Sequence, residues 1–428
     1  MRRRTAPLPQ RSTPKRPEQV LWYATAASVV AVQVAFSTRT PEAFRLPKAA
    51  LFQASVLLLT GAAAVALLLS PSLRERLALR APSAIAAGAA IVIWTGVTAL
   101  SAVNRTVGVF AFFSAVLYFV FFLLVLHLAP HSTSALAVLV FPAGLNAGVA
   151  VLQRTSLWNP FSIQTLDRRL TVTGLIGNPN DVADTLLLPL LAAIAAGLVW
   201  RQARLRWWAG AAIVLAGIVS TGSVAAVAAA AFGIAAIAIA AHPRRQVVIA
   251  CALIMTLGTA AAAFRLWQRA GSPSVSRRSI VELSSYRAPA YLAAFEMFRD
   301  RPLTGVGPRN FAVRYMQYRL AVDEKFPQWV RTENVNFGEV HNDHLQVLAE
   351  TGLPGYALFL IALVSIARIS VRKEEGNPDE YGRFARLFAL PAIIAFGIVS
   401  FFHFPTQLAA PMTVTLHAAG LALSWSRT

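Results

Sequence analysis

The sequence predicts an all-α, polytopic membrane protein of about twelve transmembrane helices, with a large, partly helical loop on one side. Three observations predict it. Apolar residues fill 56% of the 428 positions and charged residues only 14%, against about a quarter charged in ordinary soluble domains. Apolar runs of roughly 18 residues or more, long enough to cross the hydrocarbon core as helix, recur from end to end. Basic residues gather in short connections that share one side, the pattern that sets membrane orientation.

The first span, Val20 to Phe36, follows the tail MRRRTAPLPQRSTPKRPEQ, whose Arg2, Arg3, Arg4, Arg11, Lys15 and Arg16 hold it in the cytoplasm. The run lacks a small-residue cleavage site and more spans follow, so it is expected to act as a signal anchor. Spans two to six are Ala49 to Leu69, Ser83 to Val103, Gly108 to Leu128, Ser134 to Leu152 and Val182 to Trp200. The second half gives Trp207 to Gly222, Ser223 to Ala241, Val247 to Phe264, Leu353 to Val371, Leu387 to Phe404 and Gln407 to Trp425. Around Gly222 the stretch GIVSTGSVAAVAAAAFG carries little polar punctuation, and one long buried helix is the alternative there. Loops bearing Arg74, Arg76 and Arg80, then Arg201, Arg204 and Arg206, then Arg244 and Arg245, then Arg372, Lys373, Arg383 and Arg386 fall on the same side as the tail. Both termini are therefore expected in the cytoplasm. The expected domains are a basic tail (1–19), an N-terminal bundle (20–200), a core (207–371) enclosing the outer loop 265–351, and C-terminal helices (387–428). The single cysteine, Cys251, lies in a predicted span, so no intrachain disulfide or cysteine metal cluster is expected.

Two outer segments exceed simple turns: QRTSLWNPFSIQTLDRRLTVTGLIGNPND, and the region from Arg265 to Thr351. Such length marks a loop as functional or disordered. Its aromatic content favours order, and Tyr291, Phe295, Met297 and Phe298 are compatible with one face and edge of an amphipathic helix. Between Arg265 and Val340 twelve basic residues face seven acids. A solvated face attracted to anionic head groups explains this excess, and so does a site for a phosphate-bearing ligand, which guanidinium groups bind bidentately. In HNDHLQVLAETGLPG, Asp343 with Gln346 approximates a capping box, so a short helix is expected from Asp343 to Gly352, with Pro354 in the first turn of the tenth span. Asp343, Gln346 and Glu350 share one face of it. His341 then sits just ahead of the helix at the membrane lip, where a neutral imidazole can accept a proton. A hydrogen-bonded structural histidine is the alternative, and His344 is the rival base. His127, His403 and His417 have no partner visible in sequence and are assigned to packing or the interface. TGVGPRNF is expected to form a turn with Arg309 as a possible ligand, and Asn178 and Asn180 in GNPND to cap a helix or line a ligand entrance.

No His-Glu-x-x-His pattern, Walker loop or paired-acid metal site occurs, so neither cofactor nor metal is expected. The net charge of +20 is spread over loops at both faces and is attributed to membrane phospholipid and phosphorylated lipid substrates rather than nucleic acid. A transporter or flippase is a competing class. It would call for internal repeats or charges at the bilayer midplane, and the spans show no clear repeat and few central charges.

The order of elements resembles the O-antigen ligase and polysaccharide polymerase superfamily: many spans, GNPND before the sixth, a long outer loop late in the chain, then HNDHLQVLAETGLPG entering the tenth. YRAPAYLAAFEMFRDRPLTGVGPRNF is similar to the family's arginine, aromatic-containing helix and Pro-Leu-x-Gly-x-Gly stretch. The resemblance covers most of the chain and is strongest from Trp207 to Phe359. It implies a C-type glycosyltransferase-like fold in the bacterial inner membrane. The implied reaction moves a glycan, without a metal, from a polyprenyl (undecaprenyl) diphosphate carrier to a hydroxyl of a glycan, lipid or protein acceptor on the periplasmic face, in O-antigen or other surface polysaccharide synthesis. Ligase-type transfer is the expectation and repeat-unit polymerisation the alternative. On this resemblance His341 is the base and Arg287 meets the diphosphate, with a plain salt bridge from Arg287 to Glu282 or Glu296 as the alternative. Arg309, Asn178 and Asn180 are further donor contacts, and Asn342, His344 and Glu350 support them. One departure stands out: Val224 follows Ser223 where the ligases are expected to carry arginine, and Arg168 and Arg169 are the candidates to supply that charge.

Overall fold

The computed structural model describes residues 16–69, 81–161, 168–242, 244–246, 287–325, 337–371 and 378–426. Its helices are α1 (Arg16–Val34), α2 (Arg45–Leu69), α3 (Pro82–Leu100), α4 (Arg105–Leu128), α5 (Thr133–Arg154), α6 (Pro179–Val199), α7 (Arg204–Thr221) and α8 (Val224–Ala241). They continue with α9 (Ala288–Asp300), α10 (Phe311–Lys325), α11 (Asp343–Val371), α12 (Glu380–Ser400) and α13 (Ala409–Trp425), and no strand occurs among the described residues. Nine helical segments there are long and apolar enough to cross a membrane: α2 to α6, α7 with the turn before it, α8, α11 and α12. Helices α1 and α13 occupy the positions predicted for the first and last spans. The predicted ninth span, Val247 to Phe264, lies outside the described residues.

Helix α6 is the axis of the bundle. Its sequence is apolar all round, which calls for burial on every side, and 94% of its most apolar window is buried, against 17% for α2. Helices α5, α7, α8, α12 and α13 pack around it. On α2 to α4 the outward side chains include Leu57, Leu58, Ile93, Phe110 and Phe113, a surface suited to lipid. The helix starts carry their own caps: Asn104 accepts from the Val107 amide, Asn178 from Asn180, Ser223 from Ala226 and Asp379 from Gly382. The ambiguous stretch around Gly222 is thus two helices, because Gly222 ends α7 and Ser223 starts α8.

Successive helices run back and forth, so the connections 35–44, 101–104, 155–178, 222–223 and 401–408 all fall at one end. A second, smaller core sits over that end, built from Ala290, Ala293, Ala294 and Met297 of α9, Phe311 and Tyr315 of α10, and Val340 and Ala349. The predicted aromatic side of α9 needs correction: Phe295 is 48% exposed, and the buried face is mostly alanine. Small side chains let α9 come close to the first turns of α11.

Helix α11 breaks at Gly352, whose φ of 70° and ψ of −173° are non-helical. The break makes a short arm, 343–351, ahead of the apolar remainder. Amides of Val306 and Gly307 donate to the carbonyls of Ala349 and Glu350 at 2.9 and 3.0 Å, and the Leu353 amide to Pro302 at 2.8 Å. The TGVG turn therefore satisfies carbonyls that the end of the arm would leave open. Only glycine permits this crossing. A Cβ on Gly352 would lie 2.3 Å from the Leu303 oxygen, and one on Gly305 2.3 Å from the Glu350 carbonyl carbon. The arm's cap also differs from the expected one. Asn342 caps it, accepting from the Leu345 amide at 3.0 Å, while Asp343 turns outward to Thr406 and Gln346 accepts from the Val340 amide.

Candidate active site

His341 stands between the outer core and the bundle with a φ of 59°, a left-handed conformation uncommon for a non-glycine residue. Such strain is often held at working sites. Its ring meets Phe404 edge-on at 4.6 Å and Phe337 at 5.8 Å, and its carbonyl accepts from the Tyr291 hydroxyl. Its Nδ1 is buried with no hydrogen-bond partner among the described residues. Burial foremost, then the charges of Arg287, His403 and Arg45, push the imidazole down to about 3. It is therefore neutral at physiological pH, with a lone pair available but little intrinsic basicity. An anion arriving beside those cations would offset their field and raise its basicity.

Arg287 and Arg45 act on this ring, and Arg309 is held by the same segment that packs against it. Arg287, the residue before α9, donates to the Phe402 carbonyl. Glu296, its expected alternative partner, instead pairs with Arg299 and Lys325, and Glu282 lies outside the described residues. Arg309 has a φ of 56° and donates from its guanidinium to the Gln407 carbonyl at 2.8 Å. Glu350 fixes the turn that carries it, accepting the amides of Arg309 at 2.8 Å and Phe311 at 3.3 Å, with Gln346 donating to the same carboxylate. Asn342 and Glu350 thus hold a helix start and a turn, while aromatic rings hold His341. His344 is enclosed: its nitrogens face Tyr356 and Ser400 hydroxyls at 3.2 and 3.1 Å, and Phe401 stacks on it at 3.9 Å.

Residues to which the sequence motifs assigned no role in the site converge here. Arg45, at the start of α2, pairs with Asp181 at 3.3 Å and Glu339 at 3.4 Å, and its guanidinium lies 5.4 Å from the Phe404 ring centre. One turn along α6, Asp184 meets His403 Nδ1 at 2.6 Å. His403, assigned to packing or the interface from sequence, is thus half of a buried hydrogen-bonded pair, with Nε2 3.5 Å from the Ser223 hydroxyl. Two acids in one turn of an otherwise apolar span were the signal that could have found it, since such charges need partners. Beside these groups lies a cavity of about 470 Å³ whose lining includes Arg45, Arg309, Asp181, Tyr118 and Phe52.

Other expected contacts lie further off. Asn178 is spent on capping α6, and neither it nor Asn180 lines the cavity, although neighbouring Ile176 and Asp181 do. Arg168 and Arg169 belong to a short helical turn, Arg168–Thr171, and their side chains lie outside the described residues. Val224 is 69% exposed on the outside of the bundle. Chemically, the arrangement offers fixed guanidiniums for an anion, a neutral imidazole for a proton, and an apolar wall for a lipid. Residues 209–360, which include Arg287, Arg309 and His341, match the family model described as O-antigen ligase. No curated protein matches the chain.

Proposed function

We propose, from the match of residues 209–360 to the O-antigen ligase family model, that this membrane protein is a ligase-type glycan transferase. The donor is a glycan on polyprenyl (undecaprenyl) diphosphate, and the acceptor is a hydroxyl at the periplasmic face of the inner membrane. Nucleotide sugars are not supplied there, so the donor must be activated through its lipid. In this reading the chain crosses twelve times with both termini cytoplasmic.

The acceptor oxygen attacks the anomeric carbon, the bond from that carbon to the phosphate oxygen breaks, and polyprenyl diphosphate leaves with the bonding pair. Arg287 and Arg309 meet the negative charge that grows on the phosphate oxygens, with Arg45 beside them, so no metal is needed for it. His341 takes the hydroxyl proton. The observation that carries this reading is that Arg287, Arg309 and His341 all rest on one short segment, through Phe402 O, Gln407 O and the Phe404 ring. Purified protein given a polyprenyl diphosphate glycan and an acceptor tests it. Transfer that persists in EDTA supports the reading, and no release of the carrier contradicts it.

A repeat-unit polymerase is the second reading, favoured by Val224 at the position where the ligases are expected to carry arginine. Lipid-linked glycans that accumulate on deletion of the gene separate the two. Long chains left on the carrier indicate a ligase, and single repeat units a polymerase.

A further inference from the structure

The segment from Phe401 to Gln407 lies outside residues 209–360, yet it touches the residues of the candidate site one after another. Phe402 O accepts from Arg287 and Gln407 O from Arg309. Phe404 packs against the His341 ring and under Arg45. Thr406 donates to Asp343 from both amide and hydroxyl, and the His403 carbonyl accepts from the Asp343 amide at 3.2 Å. Five side chains on different elements thus share one backbone reference.

That reference has a buried anchor. His403 Nδ1 donates to Asp184 at 2.6 Å, with side chains 6% and 1% exposed, and Asp184 belongs to α6, the most enclosed helix of the bundle. A hydrogen bond of this length is short and directional, and a buried polar group is costly to leave unpaired, so the bond fixes where the chain between α12 and α13 can lie.

We propose that Phe401–Gln407 is the frame of the transfer site and that Asp184 and His403 are its positioning pair, setting the guanidiniums of Arg287 and Arg309 through the carbonyls of Phe402 and Gln407. The proposal rests on the glycan-transfer reading. The pair acts through other residues and touches no substrate.

The test is a double-mutant cycle on detergent-purified, monodisperse protein, with turnover expressed per folded molecule. Asp184→Asn and His403→Gln are each expected to lower kcat by about tenfold to a hundredfold, the scale of a small misplacement in a reacting site. In an Arg287→Ala background, His403→Gln is expected to lose most of its effect, because both changes act on one contact. A merely structural pair predicts lower yield with unchanged kcat, or effects that multiply, and either result overturns the proposal. If His403→Gln does not accumulate, Thr406→Ala probes the frame from its far end and is expected to lower kcat; full turnover there overturns the frame. A wild-type protein that releases no glycan contradicts the transfer reading instead. The frame is then read from binding of polyprenyl diphosphate by native mass spectrometry, where the Arg287 and His403 effects must still be non-additive.

Discussion

At the site end of the bundle Arg45, Arg287 and Arg309 are each tied to a carboxylate or a carbonyl, around a segment pinned to the central helix. At the opposite end Arg201, Arg204 and Arg383 line a cavity of about 840 Å³ whose described lining contains no carboxylate. Both ends are basic, and charge counting does not tell them apart. The difference is fixation. A guanidinium held in place can stabilise developing charge without reorganising during the reaction, whereas exposed cations beside short connections serve orientation and attraction to lipid.

The comparison breaks if substitutions at the two ends have similar effects. His341→Ala is expected to lower turnover by about 10²-fold or more, the usual range for loss of a general base. His344→Ala, in an enclosed position, should cost far less per folded molecule, and equal turnover of His341→Ala and wild type would remove that histidine from the reaction. Next in size is Arg309→Ala, expected to cost about tenfold or more in kcat/KM for the carrier-linked donor. Arg201→Ala should stay within about twofold, because exposed surface cations contribute little. A larger loss in the Arg201 variant than in the Arg309 variant would reverse the assignment of the two ends.

A smaller effect sharpens the same contrast through pH. His341 is pushed down to about 3, whereas in an unfolded chain it titrates near 6.5. Between those values the unfolded state binds a proton that the folded state excludes, so stability from this site is retained above about 6.5 and lost progressively as pH falls toward 3. Melting of wild type in detergent should therefore drop more between about pH 7 and pH 5 than melting of His341→Gln. An identical drop in both proteins would show that the ring is not held neutral. Topology gives the last test. With Cys251 replaced by serine, Gln317→Cys on α10 should react with a membrane-impermeant thiol reagent in intact spheroplasts, and Arg201→Cys only after permeabilisation. The opposite pattern would invert the membrane orientation.

Much of the helical order was legible because runs of apolar residues report burial in lipid or protein without reference to distant partners. The Gly222–Ser223 break was carried by a single cap, which periodicity alone does not resolve. His341, Arg287 and Arg309 drew notice because each sits in a local pattern, and the structure brings them around one segment. Arg45 and His403 have no such pattern, and Asp184 shows only as the second acid in one turn of an apolar span. They lie far apart in sequence and meet only because helix ends alternate, so their partnership is a property of topology. The expected cap failed for a related reason: Asp343 is drawn away from its own helix by Thr406, a residue 63 positions on, leaving Asn342 to cap it.

Transfer by Arg287→Lys tests most directly whether fixed guanidiniums carry the chemistry. Lysine keeps the charge and loses the planar fork. The account predicts that well-folded Arg287→Lys remains defective by about 10²-fold with a polyprenyl diphosphate glycan, as Arg287→Ala does, and that EDTA leaves wild-type transfer unchanged. Near-wild-type transfer by Arg287→Lys, or abolition of wild-type transfer by EDTA, would contradict it.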